Sequence, residues 1–178
     1  MTNPPDIDLK REFAVAGWNG MMEDLKRILL DYPDAVHWTD DRNGMTALHG
    51  AAAQCKTEVI KFLLAQGADI NARDKKGETP LMHAAGNGGQ THVQALLDAG
   101  ADIAAVDGKG HDAIWHTADG FRQSRNADLI RAHARLLELK KAQEDEARRQ
   151  ADIEGAATQM RDGAARAITV GKPLKLKI

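Results

Sequence analysis

From about residue 10 to residue 137, apolar residues come in short bursts separated by polar, glycine-centred turns. Ile60, Leu63 and Leu64 stand at i, i+3 and i+4, and Val93, Leu96 and Leu97 repeat that spacing, so each set predicts one apolar stripe along a helix. A shorter alanine-rich run precedes each stripe, with Ala51-Ala52 before the first and Ala84-Ala85 before the second. Small side chains there predict a thin helix that neighbours can approach closely. Thr46 and Thr79 stand just before these runs, where a hydroxyl can cap free backbone N–H groups. Pro80 falls in the first helical turn, where its missing N–H costs nothing. Gly67 and Gly100 follow the longer helices, where a left-handed residue ends a helix most easily.

This pattern is periodic. Residues 41–73 and 74–106 align without a gap, the second block starting 33 residues after the first. Gly44 falls on Gly77, Thr46 on Thr79, Leu48 on Leu81, Leu63-Leu64 on Leu96-Leu97, and Gly67-Ala68-Asp69-Ile70 on Gly100-Ala101-Asp102-Ile103. A third block, DGKGHDAIWHTA from Asp107, keeps Gly110, Ile114 and Ala118 in register and then departs. Upstream, AGWNGMMEDLKRILLDYPDAV places Ala16-Gly17 on the alanine pair and Ile28-Leu29 on the leucine pair, with a longer connection to the next block. The helix starts TALHGAA (46–52) and TPLMHAA (79–85), the Leu-Leu pairs and the Gly-Ala-Asp loops resemble the ankyrin-repeat family. The resemblance is full over residues 41–106 and extends to roughly 10–137 with the end blocks. It implies an all-α ankyrin-repeat solenoid over residues 1–139: about four helix-turn-helix units with β-hairpin loops, the first and last divergent. One unit cannot bury its apolar face alone, so divergent end units act as caps.

The third unit carries a polar insertion, DGFRQSRN (119–126), and its second helix is expected to begin near Asn126, with Leu129, Ile130, His133, Leu136 and Leu137 facing the stack. Residues 140–162 predict a polar helical extension, supported by Glu144–Arg148 and Asp145–Arg149 at i,i+4 and lacking a sustained apolar heptad. Residues 163–178 form a basic tail with strand-like alternation at Ile168, Val170, Leu174, Leu176 and Ile178. Three fates stay open for it: folding back on the body, adding as a strand to a partner's sheet edge, or disorder.

Composition narrows the function classes. The chain has 178 residues, 43% hydrophobic and 28% charged, and a formal net charge of −2, which gives no global pull toward nucleic acid or anionic membrane. The single cysteine, Cys55, cannot make an internal disulfide. No secretory signal and no run of about 18 apolar residues stands out, so a cytoplasmic protein, monomeric by default, is expected.

The family resemblance implies binding of a partner protein through hairpin tips and the exposed face of the first helices. The variable positions there are Arg42, Asn43, Met45 and Gln54 in the first full repeat, then Lys75, Lys76, Glu78 and Asn87 in the next. Lys109 and His111 follow on the third hairpin, and Trp18 and Asn19 in the first block. Trp38, in the loop VHWTDD, is a candidate either to anchor a partner or to pack on the first unit. Trp115 takes the family's histidine position and is expected to be structural; His49 occupies that position in its own repeat and is expected to be a hydrogen-bonding core residue. His83 and His116 lie 33 residues apart on the same face. A metal would need further ligands near them, so no metal, cofactor or catalytic residue is expected. Two other classes compete with a non-enzymatic interaction module. A small metal-dependent or hydrolytic enzyme would have to be built from the seven histidines, and nucleic-acid binding through the tail is opposed by the net charge and by the tail's lack of aromatics.

Overall fold

A computed structural model describes residues 7–87, 89–117 and 124–169. Helices come in pairs, as the spacing predicts: α1 (Ile7–Asn19) with α2 (Met22–Asp31), α3 (Ala47–Ala53) with α4 (Thr57–Ala65), and α5 (Pro80–Gly86) with α6 (Gln90–Asp98). In the third repeat the hairpin is kept, a 3-10 turn spans Trp115–Thr117, and the long helix α7 covers Ser124–Thr169. The extra connection after the first pair is taken up by a second 3-10 turn, Pro33–His37. Two compact units result, one ending at Ala134 and the other beginning at Arg135.

The first unit has one continuous core. Phe13, Leu25, Ile28, Leu48, Ile60, Leu63, Leu81, Leu96, Leu97 and Ile130 are essentially inaccessible, with Ala51, Ala52, Ala84 and Ala85 at the helix–helix contacts. The predicted caps are present. The Thr46 hydroxyl accepts from the His49 backbone N–H, and His49 Nδ1 in turn accepts from the Thr46 N–H at 3.1 Å, closing a reciprocal box. Thr79 and Met82 make the same box with sulfur in place of the imidazole.

The loops between units are tight hairpins. Asp40, Asp74 and Asp107 each donate a backbone N–H to the carbonyl of Met45, Glu78 or His111. Gly44, Gly77 and Gly110 turn each tip at φ of 74°, 77° and 84°, a region that side chains with a Cβ enter only with strain. Neighbouring tips are stitched by Lys75 N–H to Asn43 O and Gly108 N–H to Lys76 O, both 2.8 Å. The gapless alignment of Asp41 with Asp74 needs one correction. The buried aspartate of the first hairpin is Asp40, while Asp41 is exposed, because that hairpin holds one more residue between its aspartate and its glycine.

The expectation for the last helix is also corrected. Ile130 is buried, and Leu129 and His133 are partly buried, but Leu136 and Leu137 are 48% and 47% exposed instead of facing the stack. The second unit consists of α7 beyond Ala134, and its described side chains, through Arg161, are all exposed. This helix runs without interruption through 163–169, where strand alternation was expected to begin. The rest of that tail, 170–178, and residues 119–123 of the insertion lie outside the described residues. Among the described residues no helix is long and apolar enough to cross a membrane.

Candidate functional site

The first helices and the hairpins share one face, and two different chemistries lie along it. Between the helix pair α1–α2 and the repeat 41–73 is a groove of about 240 Å3 lined by Ala14, Val15, Trp18, Asp40, Arg42, Asn43, Met45, Thr46 and Gly50. Trp18 projects from α1 with 42% of its surface exposed, and Val15, one turn earlier, is equally exposed. One wall is held by an ion pair. Asp40 Oδ1 accepts from the Arg42 backbone N–H at 2.9 Å and Nε at 3.1 Å, and Oδ2 accepts from Nη2 at 2.7 Å. These side-chain bonds from Arg42 outweigh the effect of burial and hold the Asp40 carboxyl down at about 2.

Between the repeat 74–106 and the next, from Asp107, the face is polar. Asp74 Oδ1 accepts the N–H groups of Lys76 and Glu78, both at 2.9 Å, leaving Oδ2 3.2 Å from His83 Nε2. The same His83 nitrogen is 3.3 Å from Glu78 Oε2. Asp107 repeats the arrangement: Oδ1 accepts from Lys109 and His111 N–H, and Oδ2 lies 3.3 Å from His116 Nε2 and 3.4 Å from His111 Nδ1. Burial pushes the Asp74 carboxyl up, but hydrogen bonds from Glu78, His83 and Lys76 carry the balance below the usual carboxylate range. The His111 N–H is the largest influence on Asp107, whose carboxyl sits at about 2. Both aspartates are therefore ionised at neutral pH. Ligand atoms of Asp74, Glu78 and His83 lie within 4.8 Å of one another, as do those of Glu78, Asp107 and His116, so Glu78 is common to both groups.

The candidate residues fall into three sets. Trp18, Arg42, Asn43 and Met45 converge on the groove, and Glu78, His83 and His116 converge on the polar cluster, with His111 at its edge. Asn19, Gln54, Lys75 and Asn87 are exposed and belong to neither, while Lys76 and Lys109 touch the cluster through their backbone N–H groups and Lys76 Nζ lies 4.0 Å from Glu78 Oε1. Trp38 packs: it is half-buried, with ring centroids 6.1 Å from Phe13 and 5.5 Å from Tyr32. Trp115, expected to be structural, is 52% exposed and stacks flat on His111 at 3.6 Å. Sequence reasoning missed Val15 and Asp40 in the groove and Asp74 and Asp107 in the cluster. The two aspartates were visible as hairpin residues at the repeat period, but nothing local to them signalled that one carboxylate oxygen stays uncommitted to the backbone.

The remaining two buried histidines are structural. His49 Nδ1 serves the Thr46 cap and Nε2 lies 3.1 Å from Glu78 O, and burial first, then the neighbouring His83, lowers its pKa to about 4. His92 Nε2 meets Ala84 O at 3.2 Å and Cys55 Sγ at 3.6 Å. Cys55, at φ 57°, occupies a turn position that favours glycine.

A stack of helix pairs joined by hairpins whose tips bond to one another defines a repeat solenoid. The family model for ankyrin repeats (3 copies) matches residues 13–107, more than half of the chain, and the chain belongs to that family. Ankyrin repeats are generally protein–protein interaction modules.

Proposed function

We propose that this protein is a non-enzymatic interaction module that binds a partner protein through the groove between α1–α2 and the repeat 41–73. One observation carries the reading: Trp18, Arg42, Asn43 and Met45, separated by up to 27 positions in sequence, line a single concavity. An exposed tryptophan beside a flexible methionine offers apolar contact area, and Arg42, already oriented by Asp40, offers directional donors at the rim. Tryptophan and arginine are the residue types that most often dominate binding energy at such interfaces. The exposed Lys75 and Lys109 on the following tips extend the surface in the direction of the stack.

The test is affinity capture from the source cell with the full chain, a Trp18→Ala/Met45→Ala groove variant, and an Arg42→Ala/Lys75→Ala/Lys109→Ala tip variant. The groove variant is expected to weaken capture of the same partner about 30-fold or more, the equivalent of about 2 kcal/mol. Unchanged capture by both variants, with folding verified, would refute the reading.

A further inference from the structure

We infer that Glu78, Asp107 and His116 form a zinc-binding site where the repeat 74–106 meets the next, from Asp107, with Asp74 and His83 beside it. This inference does not depend on the partner-binding reading.

The geometry fits the ion. Zinc binds histidine nitrogen and carboxylate oxygen at about 2.0–2.2 Å in a tetrahedron, which places neighbouring ligand atoms about 3.4 Å apart. His83 Nε2 lies 3.2 Å from Asp74 Oδ2 and 3.3 Å from Glu78 Oε2, and His116 Nε2 lies 3.3 Å from Asp107 Oδ2. The ligands are also oriented in advance. Asp74 and Asp107 each commit Oδ1 to two backbone N–H groups of their own hairpin, which aims Oδ2 into the cluster. Such outer hydrogen bonds are what fix carboxylate ligands in metal sites.

A second observation points the same way. His116 Nε2 is buried and makes no hydrogen bond, although Asp107 Oδ2 is close by. A buried nitrogen without a hydrogen bond is costly unless something else takes its lone pair. Mixed imidazole and carboxylate donors favour zinc and its transition-metal neighbours over magnesium or calcium, which prefer all-oxygen sets. The cluster also joins two repeats, Glu78 coming from one and Asp107 and His116 from the next. Metal bound across that junction adds its binding free energy to the stability of the stack.

The experiment is calorimetric titration of zinc(II) into the chelator-treated full chain, with magnesium(II) as control, repeated on His116→Ala, Glu78→Gln and Cys55→Ser. One zinc per chain is expected, with no magnesium heat, a melting temperature that rises with zinc, and normal binding by Cys55→Ser. His116→Ala should weaken zinc binding by at least about 100-fold, the upper range for losing even an outer-shell partner. Glu78→Gln, which keeps its shape, guards against loss of binding through misfolding and should weaken it similarly while its circular dichroism stays native. Absence of zinc binding to the wild-type chain, or binding that survives both His116→Ala and Glu78→Gln, would overturn the inference.

Discussion

The two junctions on the inner face share a backbone and differ in chemistry. At each hairpin an aspartate accepts hydrogen bonds from its own loop and a left-handed glycine turns the tip. What differs is the partner of the aspartate's other oxygen: Arg42 takes Asp40, while histidines face Asp74 and Asp107. Positions 45, 78 and 111 are equivalent and hold Met, Glu and His; positions 50, 83 and 116 hold Gly, His and His. The first junction thereby becomes an apolar groove beside Trp18, and the second a cluster of carboxylates and imidazoles. The repeat keeps the distances between these positions nearly constant, and a few side chains decide what each junction can bind.

The largest expected effect tests whether the two junctions rest on one core. Leu48→Ala and Leu81→Ala, at equivalent and inaccessible positions, should each cost about 2–5 kcal/mol in chemical denaturation. A cost below about 1 kcal/mol at either would mean that the two units do not share a core.

Acid should act on His49, which joins the first junction's cap to the second junction's Glu78 carbonyl. Its folded pKa, about 4, lies below the unfolded value of 6.5, so the unfolded chain binds the extra proton first. Stability is then fully present above 6.5, falls as pH drops toward 4, and loses about 3 kcal/mol of this contribution below that. Denaturation of metal-free protein from pH 7 to pH 4 should show the slope, and His49→Gln should reduce it, leaving the share of His92, whose burial also lowers its pKa. A wild-type profile already flat across that window contradicts the assignment.

The smallest effect concerns the difference between positions 50 and 83. A Cβ at Gly50 would stand 3.0 Å from the Trp18 backbone nitrogen and 3.1 Å from its Cα. Gly50→His should therefore cost about 1–3 kcal/mol through overpacking and shift Trp18 fluorescence. If the variant is as stable as wild type with unchanged fluorescence, the groove has more room at Gly50 than the structure gives it.

Much of this fold is legible along the chain. Thr46 and Thr79 as caps, Pro80 at a helix start and the i, i+3, i+4 stripes are all local requirements of the backbone, so they leave local signals. The 33-residue period then implies a stack, because no single unit covers its own apolar face. The groove was half visible: Trp18, Arg42, Asn43 and Met45 stood out as variable positions, but not as neighbours.

The sequence by itself determined the repeat, its caps and turns, and the face on which variable side chains stand, because those features depend on residues within a few positions of one another. Tertiary structure alone decided the slip from Asp41 to Asp40, the packing of Trp38 on Phe13 and Tyr32, the exposure of Leu136 and Leu137, and the meeting of Asp74, Glu78 and His83 with Asp107 and His116. Each of these turns on which side chains the stacked backbone brings together, and that is not written in any local stretch of sequence. Spacing along the chain places side chains on the same face, but only the stacked backbone sets the 3.2–3.4 Å separations that make the second junction a cluster.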